Sequence, residues 1–264
     1  MADQKDDKKR LGEEQDGEEN QHAEEEEHEE HEEHEAEREE GAEEGDEEEN
    51  DLPQQPRKEP KRVKTAEERA AKKAARLKRI QDLGLHPLRH NYSFWFVKRS
   101  GARSQESYEK NMKKLGSFST VEDFWSHYNH MCRPNDLPNT SDYNLFRKGV
   151  KPMWEDDANK RGGKWIIRLK KGLASKYWED LVLAVVGEQF QVGSELCGIV
   201  ISIRFQEDIL SVWNRNADNK AAKLKIYETL KDVLELPPNT VMEYKCHDAS
   251  IKDNSSFRNT DVYR

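Results

Sequence analysis

Cysteine is scarce in this sequence: Cys132, Cys197 and Cys246 are its only three among 264 residues, and no two are spaced as a CxxC pair. An odd count cannot pair completely, which argues against a disulfide-stapled secreted scaffold and against a thiolate metal knuckle, and the thiols are expected to stay reduced inside the cell. Long apolar runs are also missing. No window approaches the roughly 18–20 uninterrupted apolar residues that span a bilayer, and the charged N-terminus has no apolar signal core. A soluble cytoplasmic protein is expected, with a nuclear pool allowed and no membrane partner. No internal repeat is evident.

Charge is abundant and unevenly placed. Only 33% of the chain is apolar while 37% is charged, so only part of it can bury a core. Residues 22–49 hold 18 acidic side chains against Arg38 alone, a net of −17. Such a run repels itself and buries almost nothing, so residues 1–63 read as a disordered acidic tail ending in a proline-bearing linker. Within it His28, His31 and His34 recur every third residue, but without a rigid scaffold they read as part of a solvated tract rather than a metal site. Residues 57–79 reverse the sign to a net of +8, and from residue 80 onward the net is +4. The body is therefore mildly basic, which permits an anionic ligand without demanding one.

Residues 64–84 read as a basic helical lead-in, opened by the capping-box sequence Thr65-Ala66-Glu67-Glu68 and stopped at Gly84. Residues 85–264 read as the folded domain. Aromatic and β-branched runs predict strands at 92–99, 112–118, 143–146, 164–170, 197–205, 208–214 and 240–246. Three helical patterns lie between them. The first opens at a second capping box, Ser119-Thr120-Val121-Glu122, and puts Val121, Phe124, Trp125, Tyr128 and Cys132 on one stripe; the others cover 175–186 and 219–234. Consecutive strands with short turns argue for an α+β fold in which the helices cover one face of an antiparallel sheet, leaving the other face for a ligand.

Six tryptophans must then be divided between core and site. Trp95, Trp165 and Trp178 lie in apolar runs where burial is the ordinary explanation. Trp154 and Glu155 lie in a loop, where an aromatic ring can stack on a base while the adjacent carboxylate accepts from the base edge. Guanine offers N1–H and N2–H together to one carboxylate, which cytosine and uracil cannot match. Alternation along the following strand sets Lys164, Ile166 and Arg168 on one face, and two such cations can reach phosphates; Arg204 ends another strand and offers a third. Taken singly each cation fits a solvated surface, so the argument rests on the combination. The consecutive carboxylates Glu155, Asp156 and Asp157 also suggest a metal-dependent hydrolase, but neighbours on one loop rarely converge on a metal without further ligands, and no glutamate cluster or histidine set accompanies them. A binding protein without metal or cofactor, not an enzyme, is expected.

HPLRHNYSFWF, TVEDFW, KPMWEDDANKRGGKW, CGIVISIRF and LPPNTVMEY occur in that order. With them the chain resembles the cap-binding translation initiation factor 4E family, from His86 to about His247. The resemblance implies a curved eight-stranded antiparallel sheet with three helices on its convex face. It implies binding of the 7-methylguanosine triphosphate cap of mRNA, with Trp154 and Tyr108 as the stacking rings, Glu155 reading guanine, Trp213 meeting the N7-methyl group, and Arg204 and Lys164 on the phosphates. Tyr108 stands at a tryptophan position of initiating members, and Gln206 and Ile209 stand where those members carry phosphate-binding lysines, a loss that Arg168 is expected to offset in part. Tyr92, also at a tryptophan position, makes the chain look like the 4E-homologous protein subclass, whose members occupy caps and repress translation. On the convex face, His86, Pro87, Val121, Trp125, Asp180 and Leu183 match or adjoin the family's patch for proteins carrying a Tyr-x-x-x-x-Leu-hydrophobic helix. Glu179 replaces a patch leucine there and is expected to weaken docking of the initiation scaffold. The chain is expected to act as a monomer.

Overall fold

The computed structural model describes residues 65–99 and 105–263. The acidic tail, its linker and the histidine triplet lie outside the described residues. The described residues divide at residue 74, and those from 75 onward form the larger compact unit.

The first capping box forms as its sequence suggests. The Thr65 amide donates to the Glu68 carboxylate at 2.9 Å and the Glu68 amide donates to the Thr65 hydroxyl at 3.3 Å. Helix α1 (Ala66–Asp82) follows and stops at Gly84, whose φ of 71° is open to glycine at no steric cost.

Eight strands make one antiparallel sheet: β1 (Pro87–Lys98), β2 (Met112–Thr120), β3 (Ser141–Arg147), β4 (Gly163–Leu169), β5 (Leu196–Ile203), β6 (Asp208–Asn214), β7 (Met242–Cys246) and β8 (Asp261–Tyr263). Their order across the sheet is β2-β1-β3-β5-β6-β4-β7-β8. The seven strands that the pattern predicts are present, with ends shifted by a few residues. The eighth, only three exposed residues long, carries no alternation and forms by pairing with β7.

Three longer helices, α3 (Val121–Tyr128), α4 (Ala174–Val186) and α5 (Lys220–Val233), match the three helical patterns. Two short ones were not foreseen: α2 (Gln105–Lys110), which carries Tyr108, and α6 (His247–Asp253), which follows β7. At the start of α3 the cap differs from the expected box by one residue. Thr120, not Ser119, is the N-cap, its hydroxyl accepting from the Asp123 amide at 3.1 Å. Glu122 is thereby free to bind His86, accepting from its amide at 3.0 Å and lying 2.6 Å from its ring Nδ1.

Period-two alternation divides the sheet's side chains. Tyr92, Phe94, Tyr143, Leu145, Trp165, Ile167, Ile199, Ile201, Leu210, Val212, Met242 and Tyr244 point to one face and pack with Phe124, Trp178, Leu181, Val185, Ile226 and Leu230 of the helices in the main core. Trp165 and Trp178 are thus core residues as expected. Trp95 is not: it pairs with Asn144 in the register, so alternation turns it to the opposite face, where it is half-buried. Tyr92 is fully buried, its hydroxyl donating to the Glu188 carboxylate at 3.0 Å.

Candidate functional site

The face opposite the helices holds a cavity of about 740 Å³. Its floor comes from alternate residues of adjacent strands: Asp142 and Asn144 of β3, Val200 and Ser202 of β5, Ser211 and Trp213 of β6, and Lys164 of β4. Its walls come from α2 with Tyr108, from the loop bearing Trp154 and Glu155, and from residues 253–258.

The Trp154 loop is built by its own polar residues. Buried Asn159 donates its amide to the Lys151 and Met153 carbonyls, both at 2.8 Å, while the Asp156 carboxylate accepts from the amides of Lys151 at 3.1 Å and Ala158 at 2.9 Å. Asp157 pairs with Lys160 at 2.8 Å. Two of the three consecutive carboxylates are therefore engaged in the loop, and Glu155 alone of them lines the cavity. Among the described residues no group of three or more His, Cys, Asp or Glu could hold a metal ion. The paired glycines that follow are a steric requirement: a Cβ on Gly162 would meet the Asn214 carbonyl, and one on Gly163 would meet the Tyr244 hydroxyl.

Trp213 is buried and sits edge-on to Phe146 with ring centroids 5.3 Å apart, inside a small cluster against which Trp154 packs. His247 lies against its ring at 4.2 Å. Tyr108 donates its hydroxyl to the Pro152 carbonyl at 3.3 Å, which links α2 to the start of the Trp154 loop, and burial pushes its phenol up. The rings of Tyr108, Trp154 and Trp213 thus reach one cavity from three separate elements.

The cations divide into three kinds. Lys164 is buried among the rings, its ammonium 5.7 Å from the centroid of Trp213, 5.8 Å from Trp154 and 5.2 Å from Phe257. Burial, with repulsion from Arg99 added, pulls its pKa down to about 7. Arg204 lines the cavity with one guanidinium nitrogen 2.6 Å from Asp142. Arg99, which the sequence did not single out, takes the other Asp142 oxygen at 2.8 Å and lies over the Tyr108 ring at 5.7 Å. Burial alone would raise the Asp142 carboxyl, but these two guanidiniums hold it below the usual range. Arg168 is not among the residues that line the cavity; its guanidinium is matched by Glu243 at 2.7 Å and by Glu207. Alternation put it on the right face but could not show which carboxylates flank it there.

The convex residues form a surface rather than a core. Val121, Trp125 and Leu183 are 37%, 40% and 39% exposed, and Trp125 borders a hollow of about 270 Å³ lined also by Tyr128, Met131, Arg133 and Glu179. Asp180 is paired with Lys176 at 2.7 Å. Glu179 is not a bare charge: its carboxylate accepts from the Tyr128 hydroxyl and from Arg133, each at 3.2 Å. Pro87 opens β1 beside His86, whose carbonyl accepts from the Val121 amide at 2.9 Å.

Rings, cations and one exposed carboxylate thus surround a cavity open on one face of the sheet. The chain matches the eukaryotic initiation factor 4E family over residues 87–262 and belongs to that family, one of translation factors rather than enzymes. It is 53% identical over 177 residues to translation initiation factor NCBP of Triticum aestivum, covering 67% of this chain and 76% of the relative. Among solved structures it is similar to Caenorhabditis elegans eIF4E-3 in complex with the 4E-binding protein Mextli and a cap analog. That match is 36% identical with a TM-score of 0.61, over 68% of this chain and 99% of the other. It is also similar to Ascaris suum eIF4E-3 with an m7G cap, at 38% identity and a TM-score of 0.59, over 62% and 92% of the two chains. Among the described residues no helix is long and apolar enough to cross a membrane.

Proposed function

We propose that residues 85–264 bind the 7-methylguanosine cap of mRNA in the cavity, with Trp154 and Tyr108 stacking on the base, Glu155 accepting from its N1–H and N2–H, and Trp213 beside the N7-methyl group. The observation that carries this reading is the convergence of the three rings on one cavity beside Glu155 and Arg204. N7-methylation makes guanine cationic, so each π-face adds attraction that the unmethylated base lacks, ~0.5–1 kcal/mol when exposed and ~2 or more when desolvated. Two rings then give roughly a hundredfold preference for the methylated base, since ~1.4 kcal/mol is tenfold. Arg204, and Lys164 when protonated, meet the phosphates. The test is retention on cap resin: Trp154→Ala should abolish it with thermal stability near wild type, and normal retention would end the proposal.

We further infer that the convex patch of Val121, Trp125 and Leu183, edged by His86, Pro87 and Asp180, takes the apolar stripe of a partner helix of the Tyr-x-x-x-x-Leu-hydrophobic kind, and that the protein represses translation of the messages it occupies. Tyr108 supports the repressor reading, because tyrosine is the weaker quadrupole at a stacking position and a loose grip suits a factor recruited by its partners; Tyr92, buried in the core, supports it only as a tyrosine at a family tryptophan position. A second reading, an initiating factor, is favoured by the wheat relative, a translation initiation factor, and by Glu179, whose charge Arg133 already matches and whose carboxylate the Tyr128 hydroxyl also bonds. A translation extract depleted of its own cap-binding factor separates the two: restored output on adding this protein would overturn repression.

A further inference from the structure

With Gln206 and Ile209 at two family lysine positions and Arg168 held by Glu207 and Glu243, the phosphate end of the cavity is short of cations. The C-terminal segment supplies one. Residues 253–258 form a wall of the cavity, and Arg258 within them is exposed and lines it.

What holds that wall is an ion pair with one buried member. The Lys245 side chain, on the cavity face of β7, is fully buried, and its ammonium donates to the Asp253 carboxylate at 2.6 Å and to the Arg258 carbonyl. A buried ammonium is tolerated only when matched in charge and hydrogen bonds, so the geometry of Lys245 fixes that of both partners. The loop reinforces itself: the Asp253 carboxylate accepts from the Ser255 amide at 3.0 Å, and the Ser255 hydroxyl accepts from the amides of Phe257 and Arg258, both at 3.3 Å. Phe257, 5.2 Å from the Lys164 ammonium and 5.8 Å from the Arg168 guanidinium, seats the loop against β4.

We propose that Arg258 is a phosphate-binding cation of this site, standing in for the absent lysines, and that Lys245 is the positioning residue that aims it through Asp253 and the Arg258 backbone. The ligand class is the anionic polyphosphate chain of a capped 5′ end, so the inference deepens the cap reading and rests on it. A guanidinium stays charged at every working pH, and its fork matches two phosphate oxygens.

The experiment titrates the full chain and its variants with 7-methylguanosine triphosphate and with 7-methylguanosine nucleoside. Arg258→Ala should lose ~3–30-fold for the triphosphate, the span of a charge-assisted hydrogen bond at a partly exposed site, while nucleoside affinity stays within about twofold. Lys245→Met should lose the same triphosphate-specific part, and the double variant should be no worse than Arg258→Ala alone, because both act through one guanidinium. An Arg258→Ala variant that keeps the wild-type ratio of the two affinities overturns the proposal. A double variant that loses both effects in full overturns the positioning role of Lys245. Should Lys245→Met not fold, Asp253→Asn replaces it in the cycle, and the Arg258→Ala arm decides in either case. The cap reading fails differently: Trp154→Ala would leave both ligands bound.

Discussion

The two faces of the sheet are made from the same strands and differ in almost everything else. The convex face is a continuous layer of Phe, Tyr, Trp, Ile and Leu closed by α3, α4 and α5. The concave face carries Asp142, Asn144, Ser202, Ser211 and Lys164, buried polar groups that a stability argument alone would not place there. Among the described residues, the Asn144 amide and the Trp213 indole N–H, both at the cavity, find no hydrogen-bond partner. Buried polar atoms left this way cost free energy, and they concentrate where a fold keeps donors and acceptors for a ligand. One face thus supplies the stability that the other spends.

The contrast can be broken most forcefully from the convex side. Trp178→Ala empties a fully buried site and should cost ~3–5 kcal/mol, seen as a lowered denaturation midpoint, whereas Trp154→Ala, half-exposed on the cavity wall, should cost under ~1 kcal/mol. Equal losses would mean that the Trp154 ring is structural.

Lys164→Met tests the opposite sign. Burial depresses the ammonium to about 7, so between pH 7 and the ordinary lysine value the unfolded chain binds more protons than the folded one, and wild-type stability should rise with pH through that window. The methionine variant should be more stable at pH 7 by ~1–3 kcal/mol and should lack the rise. Binding should move the other way. An anionic ligand favours the protonated amine, so triphosphate affinity should fall above pH 7 in the wild type and less in the variant, which also controls for titration of the ligand itself. A pH-independent difference in stability between the two proteins would show that the ammonium stays charged.

Trp125→Ala sharpens the boundary between core and patch. The ring is 40% exposed, though it packs on Phe124 and Tyr128, so stability should change by no more than ~1 kcal/mol and cap binding should persist while partner-helix binding is lost. An unfolded variant would return this tryptophan to the core. The smallest expected effect is that of Tyr108→Trp, which should tighten cap binding by about two- to fivefold in a fluorescence titration if the larger quadrupole is accommodated. No gain would mean that the α2 segment, not the ring, limits affinity.

Much of this was legible in the residues. Alternation in 164–170 and 208–214 identified strands and correctly set Lys164, Ile166 and Arg168 on one face, and the capping residues of α1 and α3 located two helix starts to within a residue. The motif around Trp154 pointed to the site. Asp142 and Asn144 could have been found too, as two polar residues at period-two spacing within a strand. Trp95 was misassigned because an apolar run does not say which of its alternate members faces the helices; pairing with Asn144 decides that.

What the sequence determined by itself are the properties carried by local rules: element types, caps, the face on which each strand residue lies and the chemistry of the Trp154 loop. Those depend on backbone sterics and on neighbours a few residues away. Only the tertiary structure decided which charges are used up within the protein and which line the cavity. Arg168 is matched by Glu243, 75 positions onward, and Asp142 is shared between Arg99 and Arg204, while Lys245 holds the wall that carries Arg258. Charge is felt through space with a strength set by burial, so residues of the same type with similar patterns in the sequence become an ion pair, a buried near-neutral amine or a cavity cation according to what the fold brings beside them.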